Sequence, residues 1–204
     1  MEPDQTSSVY VGQRELAVVS PGDDIQIVGS DSASTCLVVL LRHALTGVVG
    51  LGHLDTHTED KEDKLNNQLV QLLEATRERI SGQDLELEVS LFGGYNDEAG
   101  VSRQICSMIL RTMLETKVTF ILRHLCCADI NTLAGLEGAR PAVWGGGVNL
   151  RTGAVFSAEF TSRQPDLDMR SLRLYSSGQS DTTLKQLGKI LSLSLLLSTS
   201  LLSS

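Results

Sequence analysis

The segments CLVVLLRH (residues 36–43) and TGVVGLGH (residues 46–53) decide the fold. The first is a continuous apolar run of strand length, rich in β-branched residues, which indicates a strand buried on both faces. The second follows after one turn and is predicted to fold back as its hairpin partner. In that arrangement the end of the second strand returns beside the start of the first.

Further short strands are predicted on both sides of this hairpin. Upstream, residues 8–20 alternate in two bursts around Gly12, which predicts two strands arranged as a hairpin. The other predicted strands are residues 25–30, 85–94 and 117–127, and residues 141–160 are predicted to form a second hairpin that turns at Arg151, Thr152 and Gly153.

Two segments have helical periodicity instead. In residues 59–81, apolar side chains recur at helical spacing, acidic residues come first and arginines last, and this charge order suits the helix dipole. The recurring apolar residues are Leu65, Leu69, Leu72, Leu73 and Ile80. Residues 98–116 predict a second helix. Together, the predicted strands and helices indicate an α/β fold of the α+β type, with a layered, mostly antiparallel sheet and two main helices.

Composition excludes several classes of function. The chain has 204 residues, of which 41% are hydrophobic and 21% are charged, as is typical of one globular domain. The net charge is −8 and no basic patch is present, so nucleic acid is not expected as a partner. Aromatic residues make up only 4%, which disfavours stacking on bases or sugars.

The two ends of the chain differ from the middle. The opening MEPDQTSSVY has no apolar segment of the kind that a secretory signal needs. From Ile190 onward the chain contains only Leu, Ile, Ser and Thr, and this run is too short and too rich in serine to span a bilayer. We therefore expect a domain over residues 1–186, a low-complexity Leu/Ser tail over residues 187–204, and no membrane association.

The four cysteines predict free thiols. Cys36, Cys106, Cys126 and Cys127 form no CxxC pair, and no His–Cys spacing resembles a zinc site, so no metal is expected. Without a secretory signal, a reducing intracellular compartment is the simplest interpretation. In such a compartment a cysteine is available for chemistry.

Cys36 has two interpretations. A buried free cysteine is common and is usually inert. Against that, Cys36 stands at the start of the apolar run, after the polar loop Gly29–Thr35 with its hydroxyls and backbone N–H groups. Such a loop can direct amides at a developing negative charge, as an oxyanion hole does. The position therefore favours a nucleophile.

A nucleophilic thiol needs a base within hydrogen-bond reach. His43 ends the same strand as Cys36 and would lie ~23 Å away, which is too far. His53 ends the partner strand, so the hairpin returns it to Cys36. His57 lies four residues further on in a polar loop and is a weaker candidate, and His124 is predicted to be structural.

The hydroxyls and glycines near these residues leave alternatives open. Ser30, six residues before Cys36, could assist the base or the thiolate, and so could Ser32, Ser34 and Thr35, unless they only satisfy turn backbone. The segment WGGGVN (144–149) lacks phosphate-loop spacing. It predicts a bulge, or backbone lying close to a substrate.

Several longer segments resemble the protein N-terminal asparagine amidohydrolase family. They run in matching order from about residue 8 to residue 160: SVYVGQRELAVVSPGDDIQIVGSDSASTCLVVLLRH, GLGHLDTHT, LELEVSLFGGYND and PAVWGGGVNLRTGAVFSAEF. The resemblance implies deamidation of an N-terminal asparagine to aspartate, with release of ammonia, in the N-degron degradation pathway. It implies Cys36 as the nucleophile and no cofactor.

A more distant resemblance to Cys-His deamidases implies the remaining roles and the fold. In those proteins a hydroxyl lies six residues before the cysteine and the histidine ends the next strand, which assigns Ser30 and His53 here. The implied fold is an α-β-β sandwich. Family members begin earlier and continue further, so we expect a domain that is incomplete at both ends.

An enzyme restricted to a terminal asparagine must recognise an α-ammonium, and a carboxylate is its natural partner. Asp31, Asp55 and Glu15 are the candidates, each of which could instead be a turn cap or a solvated loop residue. The expected partners are proteins or peptides with N-terminal Asn, acted on by a monomer in the cytoplasm, with the nucleus as an alternative location. A catalytically inactive truncated form and a general Cys-His hydrolase are the competing hypotheses.

Overall fold

The computed structural model describes residues 8–55, 61–80, 85–136 and 138–160, all within one unit, Met1–Thr161. The two α-helices in this part of the chain are α1 (Lys61–Ile80) and α2 (Val101–Glu115). The strands are β1 (Ser8–Tyr10), β2 (Leu16–Val19), β3 (Ile27–Ser30), β4 (Leu37–Arg42), β5 (Val49–Leu54), β6 (Glu86–Gly93), β7 (Thr119–Cys127), β8 (Thr132–Leu133), β9 (Arg140–Pro141), β10 (Gly146–Asn149) and β11 (Val155–Ser157). The tail predicted at 187–204, and the domain boundary before it, lie outside the described residues.

The hairpin predicted from the opening segments is confirmed. β4 and β5 pair antiparallel, with Leu37 opposite Leu54 and Val38 opposite His53. They lie inside a five-stranded sheet of order β2-β5-β4-β6-β7. The pairing of β6 with β7 is parallel, because α2 connects them and returns the chain to the same end of the sheet.

The second sheet has four strands, in the order β1-β3-β10-β11. The hairpin predicted for residues 141–160 is confirmed as β10 and β11, and Gly153 takes the left-handed backbone conformation that its turn requires (φ 72°). The hairpin predicted for residues 8–20 is wrong. β1 pairs with β3 in this sheet, whereas β2 pairs with β5 in the other, because the turn at residues 12–15 carries the chain from one sheet to the next.

Two apolar cores separate three layers. Val39 and Leu41 of β4 face α1 and α2, with Leu65, Leu69 and Leu72 of α1 packed against them. The alternate residues Val38 and Leu40 face the four-stranded sheet, where they meet Val28 and Val148. A strand with a core on each face must be apolar at every position, which is why β4 has no alternation. Each such side chain, when fully buried, contributes about 1.5–3 kcal/mol to the free energy of unfolding.

The layers are therefore helices, five-stranded sheet and four-stranded sheet, which is the predicted α+β sandwich. In the described residues, six strand pairs are antiparallel and two are parallel, so the sheets are mostly antiparallel, as predicted. No helix in the described ranges combines the length and apolar character needed to cross a bilayer.

Candidate active site

Ser30, Cys36 and His53 come together between the two sheets. Ser30 ends β3 of the four-stranded sheet, Cys36 directly precedes β4, and His53 lies in β5. The Ser30 Oγ and the His53 Nδ1 are 2.8 Å apart, in hydrogen-bond contact. All three residues are buried, with exposed fractions of 0%, 5% and 3% respectively.

The strand register places His53 and Cys36 on the same face of the sheet. His53 is paired with Val38, and directly paired residues point to one face. Cys36 precedes Val38 by two positions, so its side chain also points to that face. The two are diagonal neighbours, a relationship in which long side chains reach one another across antiparallel strands.

The imidazole of His53 has one ring nitrogen still available. Its Nδ1 contacts Ser30, while the Nε2 is buried without a hydrogen-bond partner among the described residues. Burial lowers the pKa of His53 to about 4, although the negative charges of Asp55 and Asp31 act in the opposite direction. At neutral pH the ring is therefore uncharged and can accept a proton.

The thiol of Cys36 is protonated in the resting site. Burial raises its pKa to about 12, with further increases from the charge of Asp55 and from a hydrogen bond to that carboxylate. Hydrogen bonds from Thr35 and Gln13 act in the opposite direction. The thiol and the imidazole are therefore both uncharged in the resting site, and a thiolate forms only when a base removes the thiol proton during the reaction.

Asp55 is held close to the thiol. The Gln13 Nε2 donates to the Asp55 Oδ2 over 2.6 Å and to the Cys36 Sγ over 3.5 Å. The Arg14 Nη2 lies 3.3 Å from the same Oδ2. Gln68 of α1 brackets the backbone of Asp55, with its Oε1 accepting from the N–H and its Nε2 donating to the C=O.

The other two predicted acids have structural partners. The Asp31 carboxylate accepts hydrogen bonds from the Tyr10 hydroxyl, the Ser32 hydroxyl and the Phe160 N–H. Glu15 closes its own turn, because its Oε2 accepts from the Gly12 N–H at 2.9 Å. Of the three candidate acids, only Asp55 is in hydrogen-bond contact with Cys36.

The remaining predicted histidines and hydroxyls lie elsewhere. His43 contacts Thr46 beyond the far end of β4, and His124 contacts Ser90. The Ser32 hydroxyl donates to Asp31, and the Thr35 hydroxyl is hydrogen-bonded to the Cys36 thiol. His57 lies outside the described residues.

Two amides of the loop before Cys36 are committed to the fold. The Ala33 N–H donates to the Trp144 C=O, and the Ser34 N–H donates to the Ser32 C=O. These two amides therefore do not supply the oxyanion hole expected of this loop. The glycines of WGGGVN have a related role: a Cβ on Gly145 would collide with the Ser30 backbone, and one on Gly146 with the Phe92 ring. Gly145 therefore lets the chain pass close to the end of β3 within the second sheet, and Gly146 lets that sheet approach Phe92 of β6 in the five-stranded sheet. In both cases the close contact is with the protein itself.

The other cysteines are divided between the two cores: Cys126 packs against the cluster that contains Cys36, whereas Cys106 and Cys127 belong to the cluster between helices and sheet. Cys106 and Cys127 have their sulfur atoms 3.3 Å apart and pack with the core between helices and sheet. Cys126 is half-buried. Among the described residues, no group of three or more His, Cys, Asp or Glu side chains could hold a metal ion.

Sequence reasoning missed Gln13 and Arg14. Both lie in the turn between β1 and β2, at the point where the sequence predicted a hairpin connection. The only local signal was a polar pair between two apolar bursts, which is what any surface turn contains. The contact of Gln13 with Cys36, and of both residues with Asp55, depends on the crossing between sheets.

Comparison with known proteins gives consistent matches. The profile described as protein N-terminal asparagine amidohydrolase matches residues 1–191. The Homo sapiens protein of that name is 33% identical over 172 residues, which cover 83% of this chain and 54% of the human protein. The Arabidopsis thaliana protein of that name is 30% identical over 186 residues, covering 83% of this chain and 51% of the plant protein. This chain spans about half the length of the curated relatives that it matches.

Proposed function

The chain belongs to the protein N-terminal asparagine amidohydrolase family, and on that premise we propose that it deamidates an N-terminal asparagine to aspartate and releases ammonia. The observation that carries the proposal is the arrangement of His53. Its ring is fixed by Ser30, its Nε2 is buried without a partner among the described residues, and it lies diagonal to Cys36 on one face of the sheet.

In the proposed mechanism, His53 Nε2 accepts the proton of the Cys36 thiol as the sulfur attacks the asparagine side-chain carbonyl carbon. The tetrahedral intermediate collapses when the imidazolium gives that proton to the departing nitrogen, so that ammonia leaves and a thioester remains. Water then hydrolyses the thioester, with His53 as the base, to give aspartate and the free thiol. Proton transfer of this kind contributes about 10²–10⁴-fold to a rate.

Ser30 orients the base in this mechanism. The hydrogen bond between the Ser30 hydroxyl and Nδ1 fixes the plane of the ring. The mechanism uses the tautomer in which Nδ1–H donates to the Ser30 Oγ and Nε2 carries the lone pair. The low pKa of His53, caused by burial, keeps that nitrogen unprotonated at neutral pH.

We propose Asp55 as the carboxylate that binds the substrate α-ammonium. Asp31 and Glu15 are engaged in holding the fold, whereas Asp55 contacts Cys36 itself. A bound ammonium would also offset the negative charge that opposes formation of the thiolate. Recognition of a free N-terminus and activation of the nucleophile would then depend on the same carboxylate.

The proposal extends to the cellular role of the product. An N-terminal aspartate would feed arginylation and ubiquitin-dependent degradation in the N-degron pathway. The enzyme would act as a monomer in the cytoplasm, with the nucleus as an alternative, on proteins that expose an N-terminal asparagine.

The test is ammonia release from a short peptide that begins with Asn, measured for the purified chain and for Cys36→Ala. We expect release that depends on Cys36, and none from the same peptide with an acetylated N-terminus. A chain that hydrolyses a simple thioester but leaves the Asn peptide intact would be a general Cys-His hydrolase. A folded chain inactive toward both substrates would be the inactive form, and either result overturns the proposal.

A further inference from the structure

Gln13 places its side-chain amide between the nucleophile and the carboxylate. Its Nε2 is 3.5 Å from the Cys36 Sγ and 2.6 Å from the Asp55 Oδ2. An amide nitrogen has two hydrogens, so both contacts can be made at once. The contact to Asp55 fixes the nitrogen, and the remaining hydrogen is directed at the reacting sulfur.

The turn that carries Gln13 is anchored to the strand that carries the base. The Arg14 N–H donates to the His53 C=O over 2.8 Å, and the His53 N–H donates to the Glu15 C=O over 3.1 Å. Both backbone polar groups of His53 therefore bind this one turn. The backbone on the C-terminal side of Gln13 is therefore held in place relative to His53.

The same turn contains a strained residue. Arg14 has φ 62°, in the left-handed region, where a side chain other than that of Gly, Asn or Asp is unfavourable. Such a conformation persists only where the surroundings enforce it, and it is concentrated at functional sites. Here the left-handed position lets the Gly12–Glu15 turn close, with the Glu15 N–H donating to the Gly12 C=O.

Attack on a carboxamide requires a donor for the oxygen that becomes negative. The amides of Ala33 and Ser34, in the loop before Cys36, are engaged with other carbonyls. In the tetrahedral intermediate the oxygen and the sulfur are bonded to the same carbon. A donor already 3.5 Å from that sulfur needs only a small movement to reach the about 2.7–3.1 Å at which oxyanion donors act.

We propose that Gln13 is a further catalytic residue, whose side-chain amide donates a hydrogen bond first to the Cys36 sulfur as it becomes a thiolate and then to the oxyanion of the tetrahedral intermediate. This role rests on the proposed deamidation at the same site. Gln13 neither gains nor loses a proton in the reaction. Its amide stabilises charge that is larger in the transition state than in the bound substrate, which is the condition for a donor to raise kcat.

The experiment compares wild type with Gln13→Met, which keeps the length of the side chain and removes the donor. Gln13→Asn retains an amide but withdraws it by one methylene. Gln104→Ala is the matched control, because Gln104 is an exposed glutamine on α2. Two quantities are measured: kcat and KM on the Asn peptide, and the rate at which iodoacetamide alkylates Cys36 at one fixed pH, read by peptide mass spectrometry. Circular dichroism and a thermal melt establish that each variant is folded.

For Gln13→Met we expect a fall in kcat of about 10²–10³-fold with KM within a few-fold of wild type, as for loss of an oxyanion donor. Alkylation of Cys36 should slow by about tenfold, because the thiolate loses a hydrogen bond to a charged group. Gln13→Asn should fall in both measurements, and Gln104→Ala in neither. If Gln13→Met does not fold, Gln13→Asn decides alone.

A folded Gln13→Met chain that keeps the wild-type kcat, or the wild-type alkylation rate, overturns the role of Gln13 and leaves the proposed function intact. A wild-type chain that releases no ammonia overturns the proposed function instead. In that case the alkylation rates, which need no peptide, still decide whether Gln13 acts on the sulfur: slower alkylation supports the contact, and an unchanged rate overturns it.

Discussion

The side chains of Ser30 and His53 are joined by a 2.8 Å hydrogen bond although the two residues belong to different sheets. Ser30 ends β3 of the four-stranded sheet, and His53 lies in β5 of the five-stranded sheet. The orientation of the proposed base therefore depends on how the two sheets pack. Gly146 contributes to that packing, because a Cβ at this position would collide with the Phe92 ring of the five-stranded sheet.

Cys36→Ala is expected to abolish deamidation, whereas the alanine variants of Cys106, Cys126 and Cys127 keep it when they fold. The reason is that only Cys36 faces the buried ring of His53 from the neighbouring strand. Ammonia release from an Asn peptide measures the effect. Full activity in Cys36→Ala, or complete loss in a folded Cys126→Ala chain, would contradict the assignment.

His53→Ala is expected to lower kcat by at least about 10²-fold, since it removes the proposed general base. Ser30→Ala should lower it less, because the imidazole remains but its orientation is no longer fixed. His43→Ala is the matched control, as His43 contacts Thr46 beyond the opposite end of β4. A comparable loss in His43→Ala would mean that the base has been misidentified.

Asp55→Asn is expected to change two measurements in opposite directions. Burial is the largest cause of the raised pKa of Cys36, and the charge of Asp55 is the next. Removing that charge lowers the pKa of the thiol, so iodoacetamide should alkylate Cys36 faster at a given pH. Turnover of the Asn peptide should fall, mainly through KM, because the α-ammonium loses its partner. Alkylation that slows, or KM that stays unchanged, would argue against this role.

Peptides that begin with Asn are expected to react far faster than those that begin with Gln. If Asp55 holds the α-ammonium, the extra methylene of Gln moves the side-chain carbonyl away from Cys36 by about an ångström. A displacement of that size can reduce the rate by about 10²-fold. The comparison is kcat/KM for two peptides that differ only in the first residue. Equal values would mean that the ammonium is not fixed.

The pH dependence of stability follows from His53. Its pKa is about 4 in the folded chain and about 6.5 when unfolded, so the unfolded state binds the proton more readily. The stabilisation is complete above pH 6.5 and is lost as the pH falls toward 4, at about 1.4 kcal/mol per pH unit. Chemical denaturation at several pH values should show this slope, and His53→Asn should reduce it. An identical slope in His53→Asn would assign the loss to other groups.

The pH dependence of activity should be wide on the acid side. Because the ring of His53 stays neutral down to about pH 4, kcat/KM should not decline between pH 7 and 5 through this residue. On the basic side it should decline at about pH 8, where a peptide α-ammonium loses its proton. A peptide acetylated at its N-terminus, which has no ammonium, should be inert throughout. An acid limb near pH 6.5 would mean that the catalytic base is a solvated histidine.

Local sequence determined the elements and the central pairing. The unbroken apolar run of β4 indicates a core on both faces. Only one short turn separates it from the next apolar run, so that run is expected to pair with β4 as β5. That register alone was sufficient to bring His53 back to Cys36 and to exclude His43. The helices were equally predictable, because the spacing of Leu65, Leu69 and Leu72 repeats within one element.

Tertiary structure alone decided the contacts between elements that are distant in the chain. Residues 8–20 resemble a hairpin locally, but β1 pairs with β3 and β2 pairs with β5. Because these partner strands lie outside residues 8–20, the sequence of that segment alone cannot predict the pairing. The crossing between sheets is what brings Gln13 to Cys36 and Asp55, residues 23 and 42 positions away. The acids are divided between the two causes. The hairpin register, in which Leu37 pairs with Leu54, also returns Asp55 to Cys36. The engagement of Asp31 with Tyr10 and Phe160 depends on tertiary packing. The physical reason is that hydrophobic periodicity reports which face of an element is buried, whereas the partner on that face depends on the energy of the whole assembled core.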